Sequence, residues 1–113
     1  LLSAGNEYAT GGGGSLSGGF ITGYTYGSLD GNSNADSSGQ TSDIFVTRYS
    51  SSGAMQWTRM IGTTTNDKAY AATTDAADNV YAAGFSLGDL DANSSSGGAD
   101  FVILKYLANG DKQ

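Results

Sequence analysis

Phe20-Ile21-Thr22-Gly23-Tyr24-Thr25-Tyr26-Gly27-Ser28-Leu29-Asp30 returns later in the chain as Tyr81-Ala82-Ala83-Gly84-Phe85-Ser86-Leu87-Gly88-Asp89-Leu90-Asp91. The shared pattern is aromatic-x-x-Gly-aromatic-Ser/Thr-x-Gly-x-Leu-Asp. A second block, Asp43-Ile44-Phe45-Val46-Thr47-Arg48-Tyr49, returns as Asp100-Phe101-Val102-Ile103-Leu104-Lys105-Tyr106. Each copy of it is followed by a short turn, Ser52-Gly53 and Asn109-Gly110. A third, weaker match sets Asn6-Glu7-Tyr8-Ala9 against Asn66-Asp67-Lys68-Ala69. The separation falls from 61 residues (20 to 81) to 57 (43 to 100), because the first copy has four extra residues after Asp30. Matched blocks in matched order mark an internal repeat, and a period of this length belongs to arrays, propellers or solenoids.

The segments between the turns read as all β. Short runs rich in Tyr, Val and Ile lie between clusters of Gly, Asn, Asp and Ser. Candidate strands cover residues 8–10, 20–25, 44–49, 55–61, 69–74, 80–86 and 101–107. Asn109-Gly110 is a hairpin signal, since both residues tolerate the positive φ of tight turns. Residues 68–77 are Ala-rich, but Thr73-Thr74 and the place in the repeat favour a strand. With the strands of a repeat named a to d, the chain runs a-b-c-d-a-b-c. Leu1-Leu2 aligns near the end of strand d, and Gln113 aligns with Gln56 inside it. Residues 1–5 and 111–113 are therefore expected to pair with a neighbouring chain or with further sequence, because unpaired strand edges seek partners.

Composition removes many functions. The 113 residues contain no Cys and no His, so disulfides, Cys/His zinc sites and His-dependent catalytic triads are excluded. No apolar run is long enough to span a membrane as a helix. The net charge is −6, and an acidic surface repels phosphate backbones, so nucleic acid is not an expected partner. Ten of the eleven acidic residues are Asp, which favours turns and cation ligation over helix faces. Gly11-Gly12-Gly13-Gly14 lacks the Lys-Ser/Thr of a phosphate loop and reads as a flexible or closely approached turn.

These motifs resemble the SBBP-type β-propeller repeat of secreted and cell-surface bacterial and archaeal proteins. The resemblance rests on the two Asp-x-x-Val/Ile-x-Arg/Lys-Tyr blocks, on Gln56-Trp57-Thr58-Arg59, on Gly62-Thr63 and on Asp75-Ala76-Ala77-Asp78-Asn79-Val80-Tyr81. It covers most of residues 20–110. It implies antiparallel four-stranded blade-like units, about two of them: residues 1–19 as a partial blade edge and Gly-rich turn, 20–67 as the first repeat and 68–113 as the second. Two blades do not close a ring, which takes about four to eight. The family serves as a scaffold in proteins of many kinds, so it implies little about function.

The candidate sites are loops. Asp30-Gly31-Asn32-Ser33-Asn34-Ala35-Asp36 places an oxygen-bearing side chain at every second position, the spacing with which a loop wraps Ca²⁺. Asp89-Leu90-Asp91-Ala92-Asn93 is a partial copy. Asp30, Asn32, Asn34, Asp36, Asp89, Asp91 and Asn93 are thus the candidate metal ligands, with Ca²⁺ the candidate ion. The plain alternative is a solvated turn-rich loop. Asp75, Asp78 and Asn79 read as a chain reversal, and Asp43 and Asp100 as caps or turn acceptors at the start of strand c, or as metal or partner contacts. Glu7 and Asp67 read as solvated. Trp57, Tyr24, Phe45, Tyr49, Tyr81, Phe85 and Tyr106 read as packing between sheets, with sugar stacking the alternative. Arg48, Arg59 and Lys105 read as structural ion-pair partners. No convergent catalytic set emerges. The expected function is a non-enzymatic extracellular structural or adhesive repeat protein, or a fragment of one, that self-associates through β-edges. The alternative is a carbohydrate- or ligand-binding β-propeller completed by oligomerisation or further sequence, with glycans as partners.

Overall fold

The computed structural model describes residues 5–91 and 93–113. Seven strands follow in order: β1 (Glu7–Ser15), β2 (Gly18–Thr25), β3 (Asp43–Ser50), β4 (Met55–Ile61), β5 (Asp67–Thr74), β6 (Val80–Ser86) and β7 (Asp100–Tyr106). They form two antiparallel sheets, β1-β2-β3-β4 and β5-β6-β7, and neither closes on itself. All seven expected strands are present: β4 and β6 with the expected bounds, β7 shifted by one residue, β2, β3 and β5 longer by two residues, and β1 longer by six. The expectation for residues 1–4 concerns residues outside those described.

The two sheets share one register. Tyr24 lies opposite Tyr8 and Ile44, and Phe85 lies opposite Lys68 and Phe101. β1 is bulged between Ala9 and Gly11, and β5 between Ala69 and Ala71, sixty residues on in each case (9 to 69, 11 to 71). The Gly of the repeated motif faces that bulge. A Cβ on Gly23 would collide with the Tyr8 carbonyl oxygen, and one on Gly84 with the Lys68 carbonyl oxygen. The bulge brings one strand's backbone over its neighbour, and only Gly leaves room for it. The c-to-d turns also coincide: Ser50 N–H donates to Ala54 O at 2.8 Å and Leu107 N–H to Asp111 O at 2.8 Å, with Gly53 and Gly110 at φ 83° and 94°.

Gly11–Gly14 is a strand segment rather than a turn, paired with residues 19–22 of β2. The missing side chains make space. A Cβ on Gly13 would stand 3.0 Å from the Phe20 ring, and one on Gly11 would stand 3.2 Å from Ala71 Cα in β5. The sheets pack face to face, with β5 across β1 and β2. Directly paired residues share a face, so Phe20, Thr22, Ile44, Val46 and Trp57 form the inner face of the first sheet. Val80, Ala82, Leu104 and Tyr106 answer from the second, and together with Ala69 and Leu90 they make the core. Polar links stitch the layers: Thr10 Oγ1–H to Ala69 O at 2.6 Å, Trp57 Nε1–H to Ala108 O at 2.9 Å, and Arg48 Nη1–H to Asp78 O at 3.1 Å.

Residues 111–113 turn back on their own chain. Gln113 N–H donates to Lys105 O at 2.9 Å, and Lys112 bridges to Tyr106 as Met55 does to Tyr49. Asp67 is not solvated; it is fully buried, accepting from Thr63 N–H at 2.6 Å, from Thr63 Oγ1–H and from the Ser86 hydroxyl. Glu7, its counterpart in the first sheet, is half-buried with Oε1 enclosed. Both lie at the end of a sheet, and at Asp67 the upstream residue Thr63 folds back to donate to the carboxylate.

Candidate functional site

The seven singled-out Asx residues sit in the loops joining β2 to β3 and β6 to β7. Leu29-Asp30 and Leu90-Asp91 make the same turn, with both Asp residues left-handed at φ 48° and 54°. Asn32 Nδ2–H donates to Leu29 O at 3.0 Å and Asp30 O at 3.4 Å. Asn93 Nδ2–H repeats this toward Leu90 O at 3.4 Å and Asp91 O at 3.1 Å. Leu29 and Leu90 are buried beneath their turns.

Asn34 Oδ1, Asp36 and Asp30 Oδ2 each accept from donors of the chain. Asn34 uses Nδ2–H on Thr25 O at 3.1 Å and Thr41 O at 3.3 Å, while its Oδ1 accepts from Asp36 N–H at 2.8 Å. Asp36 accepts from the Ser38 hydroxyl at 2.6 Å and N–H at 3.0 Å, from Gln40 N–H at 3.2 Å, and from Thr41 N–H at 3.1 Å. These bonds, led by the Ser38 hydroxyl, hold its pKa down at about 2. Asp30 Oδ2 accepts from Thr58 Oγ1–H at 2.7 Å, and Asn32 Nδ2–H reaches Thr58 O at 3.1 Å. The first loop is thereby tied to β4. In the second loop, Asp89 accepts from Ser95 N–H at 2.7 Å and Asp91 pairs with Lys112 Nζ at 2.5 Å. Among the described residues no three acidic side chains gather as a metal-ligating group.

Asp75, Asp100 and Asp43 each accept from main-chain N–H groups. Asp75 Oδ1 accepts from Ala77 N–H at 2.9 Å and Asn79 N–H at 3.0 Å, reversing the chain as expected. Asp100 accepts from Ser96 N–H at 2.8 Å. Asp43 Oδ2 accepts from Ala35 N–H at 2.7 Å, but its Oδ1 is buried without a partner. Burial, with the Asp67 and Asp36 charges added, pushes the Asp43 carboxyl up to about 6. Trp57, Phe45 and Tyr106 pack inside. Arg48 sits 3.7 Å from Asp78, Arg59 lies over Trp57, and Lys105 lies over Tyr81. Tyr8, Tyr24, Tyr70 and Phe85 form a chain of rings across the sheet boundary, with Tyr8 and Tyr70 half-exposed.

The second sheet carries the exposed apolar side chains Phe101 and Ile103. β3 has a strand on each side, whereas β7 has β6 on one side and, among the described residues, only the Lys112 bridge on the other. Its outward face is apolar. Phe101 and Ile103 are 84% and 70% exposed, and their counterparts Ile44 and Val46 are 1% and 0% exposed beneath the second sheet. Ala71, Ala83 and Phe85 continue this face. Between β7 and the second Asx loop runs a groove of about 340 Å³, lined by Leu90, Asp91, Asn93, Asp100, Val102 and Leu104 among others. This surface is not among the sites expected from sequence; the unbroken apolar run Phe101-Val102-Ile103-Leu104 puts apolar side chains on both faces of the strand without saying which face is covered. No family model matches the chain, and no curated protein matches it.

Proposed function

We propose that the chain is a non-enzymatic structural repeat protein, or a piece of one, that associates with further repeats of its own kind through exposed sheet edges and faces. One observation carries the reading: surfaces buried in the first sheet are bare in the equivalent second sheet. An open apolar face of this kind marks an interaction surface, and an open strand edge is a template for another strand. In this reading each sheet is a propeller-blade-like unit of the SBBP type, the first with four strands and the second with three and the start of a fourth. The extracellular or cell-surface setting, in a bacterium or archaeon, enters through that resemblance. No helix among the described residues is long and apolar enough to cross a membrane.

Sedimentation velocity on the chain, from about 1 µM to about 1 mM, tests the proposal over the range of weak to moderate affinities. Concentration-dependent assembly is the expected result, and a monomer throughout would overturn it. The half-exposed chain of rings through Tyr8, Tyr24 and Tyr70 favours one second reading, glycan binding, because sugar faces stack on exposed aromatics. Binding on a glycan array that is lost in Tyr70→Ala, with no self-assembly, would select it.

A further inference from the structure

We infer that the outward face of the second sheet docks an extended peptide segment that is apolar at its centre and acidic at both ends. Three rows of paired residues make this face: Lys68, Phe85 and Phe101; Ala71, Ala83 and Ile103; Thr73, Tyr81 and Lys105. It is centred on β6, which has a strand on either side. Tyr70 stacks on Phe85, with ring centroids 5.9 Å apart, and widens the apolar area. Ala71 and Ala83 are the floor shared by two shallow depressions of about 290 and 360 Å³. Tyr70, Phe85 and Phe101 wall one of them, and Tyr81 and Ile103 the other.

Charge complementarity names the partner. The chain carries eleven acidic residues and five basic ones, yet no acid stands in these rows. Asp75 meets the face only at its margin, where it accepts from the Tyr81 hydroxyl at 3.0 Å. Of the bases, Arg48 is 3.7 Å from Asp78, Lys112 pairs with Asp91, and Arg59 lies over Trp57 and donates to Gly110 O. The other two, Lys68 and Lys105, stand at diagonally opposite corners of this face. Among the described residues neither has an acid within salt-bridge distance. Each ammonium sits over a ring instead, Tyr24 at 4.5 Å and Tyr81 at 5.3 Å. The corners lie about 13 Å apart along the strands and about 10 Å apart across them. An extended heptapeptide spans about 20 Å between its ends, long enough to reach both. A second copy docked by the same face would bring both pairs of lysines together with no acid between them. Sugar hydroxyls would give up water for alanine methyl groups, which return no hydrogen bond. Apolar side chains lose nothing on that floor, and flanking carboxylates answer the lysines. Docking of this kind does not depend on self-association of the chain.

The probe is a fluorescently labelled heptapeptide with Glu at each end, Leu at the third and fifth positions and Thr between, titrated with the whole chain. Saturable binding below about 1 mM is expected. Lys68→Gln and Lys105→Gln each weaken it several-fold, Lys68→Arg and Lys105→Arg keep it, and added salt weakens it. Peptides with Lys in place of Glu, or Ser in place of Leu, are expected not to bind. Unchanged melting of the Gln variants shows that their fold is kept. Equal binding of the Lys-ended peptide, or indifference to both Gln variants, overturns the docking face. So does tighter binding of a uronic-acid oligosaccharide than of the acidic peptide, which would assign the lysines to a glycan. If the peptide fails while the chain still assembles with concentration, the docking face falls and the self-association reading stands. If the peptide binds a chain that stays monomeric throughout, the reverse holds.

Discussion

β3 and β7 occupy the same place in two copies of one unit, yet β3 is enclosed on every side and β7 on two. Ile44 and Val46 lie under the second sheet, and β4 covers the strand edge. Phe101 and Ile103, in the same register, face outward beside a groove. Similar residues in similar local geometry therefore differ in energetic role, because burial is decided by what the next layer brings. The loops differ in the same way: the first is tied to Thr58, and the second ends on an exposed pair with Lys112.

The largest expected contrast lies in that pair of strands. Ile44→Ala removes a fully buried side chain and costs about 2–5 kcal/mol. Phe101→Ala, in dilute protein, stays within about 0.5 kcal/mol despite the larger side chain. Urea unfolding of both variants measures the difference, and equal costs would break the comparison. The glycines sharpen it from the opposite side. Gly23→Ala and Gly84→Ala each place a Cβ against a bulged backbone and each cost about 1–3 kcal/mol or more. Here the copies are expected to agree, since the bulge lies inside each sheet and owes nothing to the next layer.

Those glycines also show what was legible in sequence. The repeated aromatic-x-x-Gly-aromatic motif reports a feature internal to one sheet, so it exposed strands, register and turns together. The Gly11–Gly14 run misled, because Gly is a poor strand former and its value lies in a contact with β5 and the Phe20 ring, distant in sequence. Asp67 was misplaced because its burial depends on Thr63 folding back onto it and on Ser86 of the neighbouring strand. The spacing of Asp30, Asn32, Asn34 and Asp36 placed oxygens in one loop, and what spacing did not show is that the Asn32 and Asn34 amides donate through Nδ2 to main-chain carbonyls. The bare face of β7 was obscure because the continuous run Phe101-Val102-Ile103-Leu104 is that of any strand covered on both faces.

Smaller effects separate the loops. Asn32→Ala loses the bond to β4 as well as the turn bonds and costs about 1–2 kcal/mol, against about 0.5 kcal/mol or less for Asn93→Ala. Proton linkage adds a pH signature. The Asp43 carboxyl, raised to about 6 by burial, binds a proton in the folded state before the unfolded chain does near pH 3.9. Thermal stability therefore rises as pH falls from about 7 to about 4. Asp36 and Asp75, held down at about 2 by hydrogen bonds, contribute stability above their unfolded values and lose it as pH falls from about 4 to about 2. Asp43→Asn is expected to flatten the upper arm and leave the acid arm in place. Calcium is expected to do least. Chelator leaves the melting temperature unchanged, and Asp36→Ala lowers it equally with and without calcium, because the bonds to Ser38, Gln40 and Thr41 are lost either way. A calcium-dependent rise that Asp36→Ala abolishes would restore the loop as an ion site.

β7 repeats the register of β3, yet among the described residues its outward face and most of one edge are uncovered. Amide hydrogen exchange of both strands, measured at low and high protein concentration, tests this difference most directly. At low concentration the β3 amides are expected to exchange only through global unfolding, and a subset of β7 amides, those at the open edge, much faster. At high concentration that subset is expected to slow toward the β3 rates while β3 itself is unchanged. Rates for β7 that match β3 when dilute, or that stay fast at every concentration, would contradict the account.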